Sequence, residues 1–117
     1  MALNDGAKNA ALDAIGTQNG YASLHSGSPA TTANELTGGS PAYARKLITW
    51  SPASAGSKSI SNSPVFDVPA GATVACVGFC ASGTAGTNDI NADDPVTSES
   101  FGGQGTYTVT AGTISIT

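Results

Sequence analysis

The spacing of apolar residues predicts one helix, at the start of the chain. In "NDGAKNAALDAIG", Asn4 to Gly16, the apolar Leu12 and Ile15 are three positions apart, which places them on one face of an α-helix. Asn4 or Asp5 can cap the first turn, and Gly16 suits the left-handed position that follows a last turn. Because so short a helix is not stable alone in water, we expect it to dock on its own domain or on a neighbouring molecule.

From residue 20 onward the pattern becomes that of short β-strands. "GYASLHS" alternates, with Ala22 and Leu24 on one side, and "ARKLITW" alternates more clearly. "PVFDVPAG" predicts a short strand from Val65 to Val68, and "TVACVGFC" is apolar on both faces, which is typical of a central strand. "SKSISNS" resembles a polar edge strand, and "TNDINADDPV" is ambiguous between strand and loop.

The closing segment "GTYTVTAGTISIT" predicts a β-hairpin. With a two-residue loop that ends at Gly112, Val109 would face Ile114 and Tyr107 would face Ile116. The apolar residues would then pair on one face, as cross-strand packing prefers. A bulged loop with Gly112 in the left-handed conformation is the competing interpretation.

Seven or eight short strands with no helices between them predict a mainly β fold. We expect a single domain over residues 1–117, with one short N-terminal helix at 4–16. The rest, residues 20–117, should form an antiparallel β-sandwich of jelly-roll or immunoglobulin-like kind. The loop before "ARKLITW" is long for a compact domain, which indicates that it is functional, covered by a partner or mobile.

The chain carries few charges for a soluble protein, and this limits its expected partners. Charged residues make up 10% of the 117 residues, against about 25% in typical soluble domains. A small core and a weakly charged surface favour a homo-oligomer. Four basic residues and a net charge of −4 argue against nucleic acid, which needs clustered Lys and Arg. No apolar run suits a membrane span, and "MALNDGAKNA" lacks the pattern of a secretion signal.

Catalytic chemistry is not indicated, so we expect that the protein is not an enzyme and uses no cofactor. His25, the only histidine, is interpreted as a surface or loop residue, and the serines beside it do not form a nucleophile elbow. The Gly-rich "LTGGSPAYARK" does not have the spacing of a phosphate-binding loop.

Two groups of residues are candidates for cross-linking or metal binding. Cys76 and Cys80 would lie about 13 Å apart along an extended strand, so we interpret them as small buried residues without a mutual disulfide. Asp89, Asn91 and Asp93 have the spacing that opens an EF-hand loop, but later positions do not match that loop. They are the calcium candidate, and solvated acidic residues in a turn are the competing interpretation.

Carbohydrate binding is a further hypothesis, because it uses exposed aromatic rings beside polar groups. For each available aromatic, packing in a core or interface is the competing interpretation, since all fall in or next to predicted strands. These residues are Tyr21, Tyr43, Trp50 and Tyr107.

Three segments resemble small virion proteins of tailed phages that infect actinobacteria. "YASLHSGSPATTANELTGGSPAYARKLITW" is similar to a family pattern with S-L-H in a strand, a Pro/Thr/Gly loop, E-x-T-G-G-x-x-Y-A-R and a strand that ends in Trp. "VFDVPAGATVACVGFCASGTAG" and "FGGQGTYTVTAGTISI" resemble two further stretches of that family, and the N-terminal helix fits its usual opening. Cys80 departs from the pattern, because an aromatic residue commonly follows G-F there.

The resemblance implies a virion structural protein without a catalytic motif. We expect it to bind the outer capsid surface as a cyclic oligomer, a trimer, and to contact the major capsid protein. The alternatives are a minor tail or tail-fibre-like protein that contacts tail proteins, and a carbohydrate-binding module for host adsorption. Arg45 and Lys46 fall on opposite faces of their strand, so they cannot form one basic patch within it. We expect at least one of them to pair with an acid on its own chain or on a neighbour. The residues expected at assembly contacts are Leu12, Ile15, Tyr43, Arg45 and Lys46.

Overall fold

The N-terminal helix forms close to where the apolar spacing predicts it. In the computed structural model, which describes residues 2–116, α1 spans Asp5–Gln18. Asn4 caps it, because its side-chain oxygen accepts a hydrogen bond of 2.8 Å from the backbone N–H of Ala7. The first turn is therefore fixed by a local side-chain contact.

The end of the helix differs from the prediction. Gly16 does not follow the last turn but lies inside the helix, which continues to Gln18 with Asn19 as its C-cap. Gly16 is buried, and a Cβ there would collide with the side chain of Lys58. Glycine is used here for the close approach of another side chain and not for a left-handed turn.

Strands and one short 3-10 helix make up the rest of the described chain. In order they are β1 (Tyr21–His25), the 3-10 helix (Thr32–Asn34), β2 (Lys46–Leu47), β3 (Ser57–Ser59), β4 (Val65–Val68), β5 (Thr73–Cys80), β6 (Ile90–Ser100), β7 (Gly105–Thr108) and β8 (Thr113–Ser115). The ambiguous segment is thus β6, the longest strand at 11 residues. The alternating "ARKLITW" is a regular strand only at Lys46–Leu47.

The largest sheet contains four antiparallel strands in the order β2-β1-β5-β6. β5 is central, as its apolar character on both faces predicts. Its register with β1 places Ala22 opposite Phe79 and Leu24 opposite Val77. β2 and β6 are therefore the two edges of this sheet.

The closing hairpin prediction is wrong, because the last two strands belong to different sheets. β7 pairs with β4, and β8 pairs with β3, antiparallel in both cases. Pairing with β4 puts Tyr107 opposite the core residue Phe66. Between the two strands, Val109 donates its backbone N–H to Pro64 at 3.0 Å, so the chain follows earlier segments and does not turn back on itself.

The architecture is mainly β, with one N-terminal helix and antiparallel sheets of four, two and two strands, which do not close into a barrel within residues 2–116. The mainly β, antiparallel prediction is confirmed at this level. A sandwich of jelly-roll or immunoglobulin-like type stays a prediction.

One apolar core is shared by the four-stranded sheet and the β4–β7 pair. Its fully buried members come from β1, β4 and β5, and two aromatic contacts extend it. Tyr43 stacks on Phe66 with ring centroids 6.3 Å apart, and Trp50 meets the edge of Phe79 at 5.1 Å. The core residues are Ala22, Leu24, Leu36, Tyr43, Ile48, Phe66, Val68, Val74, Val77, Phe79 and Val109.

Helix α1 docks on its own chain. Lys58 of β3 donates from Nζ to Asp13 Oδ1 at 2.7 Å, and Trp50 donates from Nε1 to the backbone oxygen of Asn19 at 2.8 Å. Leu12 is buried beneath the helix. Among the described residues, no helix has the length and apolar character that crossing a membrane requires.

Candidate functional site

Arg45 lies at the centre of a buried polar network. Its guanidinium donates to both oxygens of Glu35, from Nε at 2.9 Å and from Nη2 at 3.0 Å, and to Asp89 from Nη1 at 2.7 Å. The backbone oxygens of Ser82 and Thr87 accept two more hydrogen bonds, at 3.1 and 2.8 Å. All five guanidinium N–H groups therefore have partners, although the side chain is fully buried.

The Glu35 carboxylate is equally saturated. Its oxygens also accept the backbone N–H of Gly86 at 3.0 Å and the Tyr43 hydroxyl at 2.7 Å. Burial alone would raise the pKa of Glu35, but the hydrogen bonds from Arg45, Gly86 and Tyr43 outweigh it and hold the pKa below its usual value. The network thus keeps a buried carboxylate ionised, which is tolerable because every charged atom is hydrogen-bonded.

This network fastens two loops to the sheet. The loop that holds Glu35 and Tyr43 is tied to β1, because the Tyr43 hydroxyl accepts the backbone N–H of Leu24 at 3.0 Å. The loop at 81–89 is tied to Arg45 through Asp89 and two carbonyls. The expectation that Arg45 or Lys46 pairs with an acid is confirmed for Arg45, whose acids belong to its own chain.

A second polar cluster lies under the same loop, around His25. The ring atom Nδ1 lies 2.8 Å from Asn34 Oδ1 and 3.0 Å from the backbone oxygen of Thr31. Because both neighbours are acceptors, Nδ1 carries the hydrogen and Nε2 accepts from the Ser23 hydroxyl at 2.6 Å. Ser23 Oγ lies 3.2 Å from the thiol of Cys80. A chain of hydrogen bonds therefore runs from β5 through β1 to the loop.

Gly78 provides the space for this cluster. It lies opposite Ser23 on β5. A Cβ at Gly78 would lie 2.5 Å from Ser23 Oγ and 2.8 Å from His25 Nε2, which is closer than real side chains approach. The cluster therefore requires glycine at this position of a buried strand.

The interpretation of His25 as a surface or loop residue is wrong. His25 ends β1 and has no exposed surface. The alternation that turns Ala22 and Leu24 into the core turns Ser23 and His25 to the opposite face, and the loop covers that face. Burial lowers the pKa of His25 although Asn34 and Glu35 act in the other direction, so the imidazole is held neutral.

The order Ser23, His25, Asn34 is that of a nucleophile, a base and an orienting group. Ser23 has no exposed surface, and neither it nor His25 lines the two concavities that flank β6. A substrate could not reach Ser23 Oγ in this conformation, so we interpret the cluster as a packed polar layer.

The two cysteines are free and buried, as predicted. Burial raises the pKa of Cys76 to about 11, and the neighbouring Asp93 adds to the shift. Burial also raises the pKa of Cys80. Neither thiol is therefore activated as a nucleophile.

An open cleft of about 440 Å³ lies between α1, β8 and the edge of β6. A smaller concavity of about 170 Å³ is formed by Pro29, Ala30 and the start of β6. Both are lined by the same three β6 residues, 91–93. The apolar wall of the larger cleft consists of Leu12, Ile15, Ile114 and Ile116.

The structure brings four of the predicted site residues to this cleft and separates the others. Its lining includes Leu12, Ile15, Asn91 and Asp93. Lys46 lies at the opposite edge of the sheet, in β2. Contacts of Ile15 and Lys46 with another copy stay predictions.

Three predicted assembly residues are enclosed by their own chain, and the most buried of them is Leu12, at 1% exposure. Tyr43 is 6% exposed and Arg45 is 5% exposed, and both spend their polar groups on internal hydrogen bonds. The structure therefore leaves them little surface for a contact with another copy.

The calcium candidate does not form a loop. Asp89, Asn91 and Asp93 precede and begin the extended strand β6, whose register with β5 shifts between Ile90 and Ala92. The three side chains form hydrogen bonds with three different residues: Asp89 with Arg45, Asn91 with Asn19, and Asp93 with Ala30. Across residues 2–116, no three His, Cys, Asp or Glu side chains are grouped to hold a metal ion. The structure gives the calcium interpretation no support.

The four aromatic residues considered for carbohydrate binding do not form one exposed surface. Tyr43 belongs to the core, and Trp50 and Tyr107 pack against it. Tyr21 is half-buried, and Gly83 lies so close to its ring that a Cβ at Gly83 would come within 2.8 Å. Packing is the better interpretation of all four.

Sequence reasoning missed the central role of Glu35 and the contribution of β6 to the cleft. A signal for Glu35 was present, because the resemblance places an acid, a tyrosine and an arginine at fixed spacing in one loop. For β6, the acidic residues and Pro95 concealed the strand.

Comparison of the chain with models of known protein families yields no match, and comparisons with curated proteins and with solved structures yield no significant match either.

Proposed function

We propose that this chain is a phage virion structural protein that binds the outer capsid surface as an oligomer and reinforces it, as a capsid-decoration or minor capsid protein. One observation carries the proposal. The charged and aromatic residues of the E-x-T-G-G-x-x-Y-A-R pattern, Glu35, Tyr43 and Arg45, lie inside the domain and hold two loops on the sheet. A motif with an architectural task suits a protein whose role is to present a stable surface.

The distribution of charge also supports a protein partner. Two of the four basic residues, Arg45 and Lys58, are buried and paired with acids. The remaining surface has little positive charge to offer a phosphate backbone. Apolar side chains that are exposed and could contact a capsid are those of Leu3, Leu47 and Val65.

The test is to compare purified virions with and without the protein by cryo-electron microscopy and protein quantification. We expect density of this size on the outer capsid surface, and copy numbers in a fixed ratio to the major capsid protein. Capsids without the protein should break at lower temperature, and added wild-type protein should restore their resistance.

Two outcomes would contradict the capsid role. An unchanged capsid surface together with an altered tail, and only a handful of copies, would favour the alternative of a minor tail protein. Particles that never contain the protein would overturn both virion roles. The expected trimer is checked separately, from the molar mass of the purified protein in solution.

A further inference from the structure

The outer edge of β6 is an unpaired strand edge beside two concavities. β6 pairs with β5 on one side, and in the described part of the chain its backbone forms no hydrogen bonds to another strand on the other side. β8 lies close to this edge near Asp94, where the N–H of Thr113 donates to Asp94 Oδ2 at 3.2 Å, but the two strands are not paired. Unpaired edges of this kind are where extended segments add to a sheet.

The two concavities lie toward opposite faces of the sheet. The larger one is walled by α1 and β8, whose Ile114 packs against the apolar core. The smaller one is walled by Pro29 and Ala30, in the loop that covers the polar face. Residues 91–93 of β6 form the boundary of both.

This arrangement matches the geometry of an added β-strand. The register of β6 with β5 shifts between Ile90 and Ala92, so the regular part of this edge begins at Ala92. Successive side chains of a strand point to opposite faces, so neighbouring residues of a segment paired there would enter the two concavities in turn. The large cleft, with its wall of leucine and isoleucine side chains, suits a long aliphatic residue. Pro95 has no N–H and cannot donate to a new partner, which confines pairing to the first half of β6.

The charge at this edge indicates which residue the bound segment would carry next to its aliphatic one. Asp93 is the one charged residue that lines either concavity among the residues described. Its internal hydrogen bonds, from the N–H of Ala30 at 2.9 Å and from the thiol of Cys76 at 3.6 Å, both end on Oδ2. Oδ1 is therefore available to a cation from outside.

We propose that residues 91–93 of β6 bind an extended segment of a partner protein as an additional strand, with an aliphatic side chain in the α1–β8 cleft and an adjacent Lys or Arg at Asp93. The inference goes beyond the virion role and does not depend on it, because it specifies the chemistry of the bound segment and not the protein that supplies it.

The opposite edge of the sheet shows why β6 is the edge available. At β2, the side chain of Asn62 donates to the backbone oxygen of Leu47 at 3.1 Å and accepts the N–H of Thr49 at 3.0 Å. Those outward backbone groups are already satisfied by a side chain. β6 has no such cover at 91–93 within residues 2–116.

The experiment is selection of a random heptapeptide library, displayed on phage, against the immobilised full chain. We expect enriched peptides to share an aliphatic residue next to Lys or Arg. Titration with synthetic versions of the enriched peptides should shift the NMR amide signals of residues 91–93 and 113–116 until the site is saturated. The same peptides methylated on their backbone nitrogens cannot donate to a strand edge and should cause no shift. Asp93→Asn should weaken binding roughly tenfold, because it removes a charge-assisted hydrogen bond.

Ile15→Glu, which puts a charge on the apolar wall, should abolish binding. Ser98→Glu is the matched control that should leave binding unchanged, because Ser98 is exposed and lies beyond Pro95 in the same strand. Thermal unfolding verifies that each variant is folded. If Ile15→Glu does not fold, the test rests on the weaker binding expected of Asp93→Asn. The proposal is overturned if no aliphatic–basic peptide is enriched or if the shifts lie elsewhere. Concentration-dependent shifts of 91–93 in the free protein would also overturn it, since a second copy would then occupy the edge.

Discussion

The two faces of strands β1 and β5 are both buried, but by different means. Ala22 and Leu24 turn one face of β1 to the apolar core, where they meet Phe79 and Val77 of β5. Ser23 and His25 turn the other face to a layer of hydrogen-bonded polar groups under the loop. None of the four β1 side chains is exposed.

The difference lies in what each face demands of its residues. The apolar face needs volume and contact area, which several side chains can provide. The polar face needs a partner for every donor and acceptor, because a buried group left without one costs its full desolvation energy. We therefore expect graded responses to substitution in the core and abrupt ones in the polar layer.

The largest effect is expected at Arg45. Arg45→Met leaves Glu35 and Asp89 without their cation, which should lower the free energy of unfolding by about 3–5 kcal/mol. Arg45→Lys keeps the charge but cannot reproduce the five-donor fork, so it should recover less than half of that loss. Urea unfolding at neutral pH measures both.

The matched core control is Leu24→Met, which should cost less than about 1.5 kcal/mol because it conserves volume and apolar character. If Arg45→Lys proved no more costly than Leu24→Met, the two layers would not differ in tolerance as proposed.

The next largest effect is expected at Gly78. Gly78→Ala forces a methyl group against Ser23 and His25, which should cost about 1–3 kcal/mol. Gly102→Ala is the control, since a Cβ there meets nothing within 4 Å. Adding Ser23→Ala to Gly78→Ala should restore part of the loss, and a strictly additive double variant would argue against a collision in the polar layer.

A pH dependence should single out His25. Its pKa in the folded protein is below the unfolded value of 6.5, so below about pH 6.5 the unfolded chain binds a proton that the folded one does not. Stability should therefore fall as pH drops from 6.5 toward the folded pKa, with a slope of at most about 1.4 kcal/mol per pH unit. Urea unfolding at a series of pH values measures the slope.

His25→Gln should flatten the dependence in this window while lowering stability overall. The paired carboxylates Glu35 and Asp89 have lowered pKa values, so their contribution is lost only at more acidic pH and does not obscure the histidine. An unchanged slope in His25→Gln would show that another group titrates.

The smallest effect is expected at Asp13, the exposed partner of the ion pair that helps to dock α1. Lys58 donates to Asp13 at 2.7 Å, but the Asp13 side chain is 55% exposed and screened by water and salt. Asp13→Asn should therefore change the melting temperature least of all these variants, and less so at high salt. A loss comparable to Arg45→Met would mean that helix docking depends on this charge.

Much of the local structure was predictable because its signals are local. Asn4 caps the helix, Val65–Val68 is a strand within the predicted limits, and the doubly apolar β5 is central. The boundary at Gly16 was misread, since glycine serves a close contact with Lys58 as readily as a turn.

The candidate site was only partly predictable. Leu12 and Ile15 stood out by their helical spacing, and they do line the cleft. The place of Asp93 in a strand beside the cleft was missed, because acidic residues next to a proline are also typical of a turn, whereas pairing with β5 makes this segment a strand.

The start of the helix, the strand Val65–Val68 and the central position of β5 follow from residue type and spacing within a few residues, so the sequence alone predicts them. The pairing of β7 with β4 and of β8 with β3 was decided by the tertiary structure. Alternation of apolar and polar residues shows which side chains share a face of a strand, but it does not show which strand lies alongside. The tertiary structure also decided the burial of His25 and Arg45. Polar side chains can be buried only where distant residues, such as Cys80 and Asp89, arrive to complete their hydrogen bonds.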